Sequence, residues 1–169
     1  MTPILETLRL VLRPLTPEDQ TELAAVLGDA ETMRWYPRPY TGAEVREWIE
    51  RQMGRYPGGN GLLGMVEKQT GKLIGDCGAV WQEVEGTAEL EIGYHVNRER
   101  WGQGFATEAA REVMGYAFGK FDVPRIVSMI RPENAQSRRV AEKNGLAVDR
   151  VVFWRGYDHC IYQKLRQWD

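Results

Sequence analysis

Cysteine is scarce in this chain. Cys77 and Cys160 are its two examples and no C-x-x-C pair occurs, which excludes a disulfide framework and a zinc ribbon and makes a reducing cytoplasm the expected compartment. Nowhere do 18 apolar residues run together, and Met1-Thr2-Pro3-Ile4-Leu5-Glu6 offers no basic segment followed by an apolar core, so neither membrane spanning nor secretion is expected. No charge sign dominates. With 22 Lys and Arg against 24 Asp and Glu the net charge is -2, and the basic footprint of a nucleic-acid-coating protein is missing. The two histidines and two scattered cysteines lack metal-ligand spacing, so no metal is expected. Internal repeats and low-complexity linkers are also absent. What is present, 169 residues with 43% hydrophobic and 27% charged side chains, is the composition of one globular domain spanning residues 1–169.

Periodicity lays out the elements. Leu8, Leu10 and Leu12 alternate with Arg9, Val11 and Arg13 in a predicted strand from Thr7 to Leu15 with one buried face. Thr16-Pro17-Glu18-Asp19 reads as a helix start, with Gly28 as its stop. Thr41 and Glu44 form a capping box for a second helix ending near Tyr56, before the glycine-rich stretch Pro57 to Gly61. Strands Leu62 to Gln69, Lys72 to Glu83 and Ala88 to Val96 make an antiparallel meander. A third helix carries Ala106, Ala109, Ala110, Val113, Met114 and Ala117 on one face, followed by a strand Arg125 to Ile130, a short helix Ala135 to Asn144 and a closing hairpin. The order β-α-α-β-β-β-α-β-α-β-β predicts an α+β (mixed α/β) fold: one largely antiparallel sheet of about seven strands with about four helices.

The segment richest in chemistry joins the Ala88 to Val96 strand to the third helix through Trp101-Gly102-Gln103-Gly104-Phe105-Ala106-Thr107. Unpaired N–H groups at a helix start carry partial positive charge, and two glycines let a polyanion such as pyrophosphate approach the main chain. The alternative is that Gly102 and Gly104 serve only a tight turn. Nucleotide loops fit poorly. Gly115 to Gly119-Lys120 has three residues where a Walker loop needs four and Phe121 where it needs a hydroxyl, while Thr107 stands where a dinucleotide loop has its third Gly or Ala.

Taken with the downstream segment Asn134-x-x-Ser137-x-x-Val140-Ala141-x-x-x-Gly145-Leu146, this loop resembles the GNAT superfamily of N-acetyltransferases, whose coenzyme A loop reads [Q/R]-x-x-G-x-[G/A]. Gly104 and Ala106 match its last two positions, and Trp101 departs at the first. Glu91-Ile92-Gly93-Tyr94 followed by Trp101-Gly102-x-Gly104-x-Ala106-Thr107-Glu108-Ala109 is similar to the branch that contains the ribosomal-protein N-terminal acetyltransferases, where tryptophan is usual. Leu8-Arg9-Leu10-x-Leu12-Arg13 and the terminal hairpin extend the resemblance over nearly the whole chain.

The resemblance implies acetyl transfer from acetyl-CoA to a primary amine, of a peptide N-terminus or a small molecule, without a metal. Pantetheine would run beside Tyr94, His95 and Val96, and the pyrophosphate would meet amides from Gly102, Gln103, Gly104, Phe105, Ala106 and Thr107. Asn134 would hold the pantetheine end, cap its helix, or do both. The amine must lose a proton before attack. Glu89 and Glu91 share one strand face roughly 7 Å apart, so mutual repulsion would raise one of them. Glu91 matches the family position and is the expected base, with Glu89 or a water chain as alternatives. The family's usual tyrosine acid is replaced by Ala141, leaving Ser137 as the expected proton donor to the thiolate and Tyr162 and Tyr94 in reserve.

Trp35 and Tyr36, in the aromatic and proline-rich stretch between the first two helices, are expected to form one wall of the amine site. Arg138, Arg139 and Arg98 to Arg100 are candidates for the coenzyme 3′-phosphate, the favoured alternative for any one of them being a solvated helix or loop charge. Neither nucleic acid nor membrane is expected as a partner, and the chain would act as a monomer or homodimer. The alternative function, prompted by the two motif departures, is an acyl-CoA-binding or sensory module without turnover.

Overall fold

The computed structural model describes residues 4–168. Eight strands form one sheet in the order β1-β2-β3-β4-β5-β6-β8-β7: β1 (Leu5–Glu6), β2 (Leu10–Arg13), β3 (Gly61–Glu67), β4 (Leu73–Val84), β5 (Thr87–Val96), β6 (Arg125–Ile130), β7 (Ala147–Trp154) and β8 (Tyr157–Leu165). Every pairing is antiparallel except β5 with β6. Four α-helices cover it: α1 (Gln20–Leu27), α2 (Gly42–Arg55), α3 (Phe105–Lys120) and α4 (Ala135–Lys143). The α+β reading is correct, with one strand more than expected. The predicted first strand is broken because the Thr7 hydroxyl accepts from the Leu10 N–H at 3.0 Å and turns the chain, which splits off β1 and leaves Leu8 88% exposed.

The sheet has two covered faces. On one, Leu23, Val26 and Leu27 of α1 and Val45 and Ile49 of α2 pack with Leu15 and Leu73. On the other, Phe105, Ala109, Val113 and Ala117 of α3 pack over Cys77, Ala79, Leu90 and Ile92. Strand alternation therefore turns Glu91, Gly93 and His95 toward α1 and α2, and Ile92 and Tyr94 toward α3 and α4. Both cysteines are buried free thiols within the apolar core. Among the described residues no helix is long and apolar enough to cross a membrane.

The parallel junction is where the sheet opens. Glu91 opposite Val127 is the sole β5–β6 pair in register. Just past it, side chains take up the main-chain groups that a continued ladder would have used. Ser128 Oγ donates to the Ile92 carbonyl at 2.9 Å, and the Met129 N–H donates to Glu91 Oε2 at 3.1 Å. Those two contacts satisfy the Ile92 carbonyl and the Met129 N–H at the point where the strands part.

Candidate active site

At the start of α3, Gly102 (φ +73°) and Gly104 (φ +81°) both take the left-handed conformation that glycine adopts without strain. A Cβ on Gly102 would meet open space, and one on Gly104 would find Arg9 Nη2 at 3.5 Å as its nearest neighbour. The turn needs these glycines for conformation, not for crowding, so the main chain lies open to a ligand. Among the described residues no acceptor receives the N–H groups of residues 102–107; the first helical bond is Glu108 N–H to the Gly104 carbonyl at 3.0 Å. Six consecutive amides at the positive end of a 16-residue helix make a cradle for a diphosphate.

The cradle is braced from the far edge of the sheet. Glu108 Oε1 accepts from Thr7 Oγ1 at 2.6 Å and the Arg9 N–H at 2.8 Å, while Oε2 accepts from Arg9 Nε at 2.7 Å. Arg9 also donates to the Gln103 carbonyl at 2.9 Å and covers the Phe105 ring. Glu108→Ala leaves a main-chain N–H and a hydroxyl unpartnered. It is expected to cost about 2 kcal/mol, read as a lower denaturant midpoint with unchanged slope. Trp101, where the family motif has Gln or Arg, donates its indole N–H to the Val96 carbonyl at 2.8 Å and closes the strand-to-loop turn.

Across the opening, Asn134 accepts the Ser137 N–H at 3.2 Å as the N-cap of α4. The Ser137 hydroxyl makes no hydrogen bond among the described residues and is free to donate. Tyr94 spans the gap, its hydroxyl donating to the Ser137 carbonyl at 3.1 Å; burial holds that phenol well above the usual tyrosine range. Tyr162 is less suited to the reserve role. It is fully buried, and its hydroxyl accepts from Arg138 Nε at 2.8 Å and donates to Glu142 at 2.9 Å. Arg138 is thereby committed, as are Arg98 to Asp29 and Arg100 to Glu67.

The two strand carboxylates differ in environment, and not through mutual repulsion as the sequence suggested. Glu89 is buried against Arg125, whose Nε donates to it at 3.2 Å. Glu91 has no ion pair among the described residues. Desolvation pushes its carboxyl above the usual range, opposed by the Met129 N–H and by Gln82 Nε2, which donates at 3.1 Å. The Gln82 carbonyl oxygen in turn accepts from Arg155 at 2.8 Å, which fixes the amide with its NH2 toward Glu91.

His95 is tied to β4 and α2. Its Nδ1 lies 2.7 Å from Asp76 Oδ1, and Trp48 Nε1 donates to Asp76 Oδ2 at 2.9 Å. The Tyr36 ring packs on His95 at 5.2 Å between centroids while the residue stays 42% exposed. Trp35 is held beside it, its carbonyl accepting from Arg131 at 3.4 Å. Tyr36 thus lies over the Glu91–Gly93–His95 face, while the Trp35 ring is flanked by Arg34 and Arg131. The sequence reading missed Asp76, Gln82 and Arg155. A lone acid within the apolar run Leu73 to Val80 was the available signal, because a carboxylate there must find partners. Among the described residues no group of three or more His, Cys, Asp or Glu side chains gathers to hold a metal.

Comparison with known proteins agrees with this architecture. Residues 9–147 match the model of the acetyltransferase (GNAT) domain. The uncharacterized protein YkkB of Bacillus subtilis is 35% identical over 150 residues, covering 88% of this chain and 87% of the relative. An acetyltransferase crystal structure from Agrobacterium tumefaciens superposes with a TM-score of 0.82 at 26% identity, covering 98% of this chain and 96% of the other. The ribosomal L7/L12 α-N-protein acetyltransferase RimL shares the fold, with a TM-score of 0.80 at 18% identity over 98% of this chain and 96% of its own. The β5-to-α3 glycine turn, the parted strands and the family match over most of the sequence lead to one assignment: the chain belongs to the GNAT family of N-acetyltransferases.

Proposed function

We propose that this chain transfers the acetyl group of acetyl-CoA to a primary amine, of a small molecule or a peptide N-terminus, with Glu91 accepting the amine proton and Ser137 giving one to the departing sulfur. The observation that carries this reading is the row of amides at residues 102–107 that meet no acceptor among the described residues, opening beside the gap between β5 and β6. Those amides and the open faces of Gly102 and Gly104 suit the coenzyme diphosphate, and Tyr94, His95 and Val96 border the path its pantetheine would follow. Asn134 fixes the first turn of α4, which keeps Ser137 at the gap. The coenzyme supplies the activated thioester; the chain supplies position and proton transfer. Glu91 suits its role because burial favours its neutral form after the proton arrives, whereas Gln82 and Met129 hold the charged form ready before it.

The test is to incubate the protein with acetyl-CoA and a panel of amino acids, polyamines, aminoglycosides and short peptides while following free thiol. Amine-dependent thiol release supports transfer; tight coenzyme binding with no release across the panel would instead favour an acyl-CoA-binding module. Trp35 and Tyr36 are proposed to contact the acceptor. Trp35→Ala and Tyr36→Ala are each expected to raise the acceptor KM about tenfold, the loss of one aromatic contact, without altering the KM for acetyl-CoA. Unchanged acceptor constants would remove that wall from the site.

A further inference from the structure

We infer that His95, oriented by Asp76, is a second proton acceptor for the incoming amine, placed on the opposite side of Gly93 from Glu91. Asp76 is fully buried, and no Lys or Arg lies within ion-pairing distance of it among the described residues. One of its oxygens is filled by the Trp48 indole N–H and the other faces His95 Nδ1. With Asp76 taken as a carboxylate, both of its oxygens accept, so Nδ1 carries the proton and Nε2 bears the free lone pair. Nε2 has no partner among the described residues, yet it is not sealed from solvent, although His95 as a residue is only 8% exposed. Tyr36 from the α1–α2 connection and Trp48 from α2 pack on the ring and hold it in one orientation.

Position adds the second half of the argument. Glu91, Gly93 and His95 occupy one strand face, so Gly93 lies roughly 6.6 Å along the strand from each neighbour. A Cβ on Gly93 would make only ordinary contact with Leu62 at 3.7 Å, so packing does not demand glycine there. Glycine leaves an open floor between two proton-accepting side chains. The step is balanced: an acceptor ammonium gives one N–H proton to His95 Nε2, leaving a neutral amine and an imidazolium against the Asp76 carboxylate. That proton passes to solvent after turnover.

This inference rests on the acetyl-transfer reading, and the experiment separates the two. His95→Gln and Asp76→Asn are compared with the parent on acceptors that are ammonium ions at assay pH (alkylamines, amino acids, polyamines) and on hydroxylamine and methoxyamine, which are neutral there. Loss of a positioned base is expected to lower kcat/KM for the ammonium class about 100-fold. The loss with the neutral nucleophiles is expected to be at least about tenfold smaller than with the ammonium class, and a melting curve close to the parent's reports that each variant is folded. Asp76→Asn should behave like His95→Gln, because an amide can donate to Nδ1 and reverse the tautomer. Equal losses on both classes would make the pair structural, and no loss on either would make it idle; each overturns the inference alone. A parent inactive on every amine overturns the acetyl-transfer reading and the inference with it.

Discussion

Gly104→Asp is expected to weaken coenzyme A binding by about 30- to 100-fold while Gly104→Asn weakens it by no more than about tenfold, both read by titration calorimetry. The pair is chosen so that conformation and charge separate. Gly104 sits at φ +81°, a conformation that costs most L-residues about 1–2 kcal/mol but that Asn and Asp tolerate best. Neither side chain meets a backbone obstacle, since the nearest atom to a new Cβ is Arg9 Nη2. The two variants therefore share shape and strain and differ by one negative charge. At about 5–6 Å from a phosphate and an effective dielectric of about 20, that charge costs roughly 3 kcal/mol. Arg9 spends Nε and Nη1 on Glu108 and the Gln103 carbonyl, and its Nη2, the atom nearest the new Cβ, offsets part of that charge and sets the lower end of the expected loss. The gap between the variants should narrow as salt is raised. Equal affinities at low salt would mean that the amides of residues 102–107 do not receive the diphosphate.

Much of this architecture was legible because it is written locally. The capping box of Thr41 and Glu44, the N-cap at Asn134 and the glycine turn at 102 and 104 each depend on residues within three or four positions, and each appears where the sequence placed it. Alternation along β5 was enough to put Glu91 and His95 on one face. What escaped depends on register between distant strands. Sequence alone could not pair Glu89 with Arg125, 36 residues away, so the two strand acids looked equivalent when one is neutralised and the other is desolvated. The Trp48–Asp76–His95 chain joins three elements and has no local signature beyond an acid in an apolar strand. The β5–β6 opening is held by Ser128 and Glu91 capturing main-chain groups, a role that neither residue type announces. Leu8 misled for the opposite reason. It fitted the alternation perfectly, and a hydroxyl-made turn at Thr7 overrode the pattern.

Glu91→Gln is expected to lower kcat about 100-fold or more, the usual contribution of a positioned general base, with the KM and dissociation constant for acetyl-CoA unchanged. The replacement keeps the side-chain length, and its carbonyl oxygen can still accept the Met129 N–H, so the strand opening is preserved. Its NH2 must then face the Gln82 NH2, whose orientation is fixed by Arg155; one donor is left idle, and the local cost is expected to be about 1 kcal/mol. That cost is small beside the loss in turnover, so a melting curve close to the parent's separates chemistry from unfolding. The pH profile carries the sharper signature. Desolvation raises the Glu91 carboxyl above the ordinary value of 4.5, so a base at this position is lost by protonation at a higher pH than a solvated glutamate would be. Parent kcat/KM for a fixed acceptor should therefore fall on the acid side through an ionisation above that value, and the variant should lack this limb while keeping the slope set by the acceptor amine itself. Superimposable acid limbs would assign Glu91 to holding the strands apart through Met129 and leave His95 as the sole proton acceptor on that face.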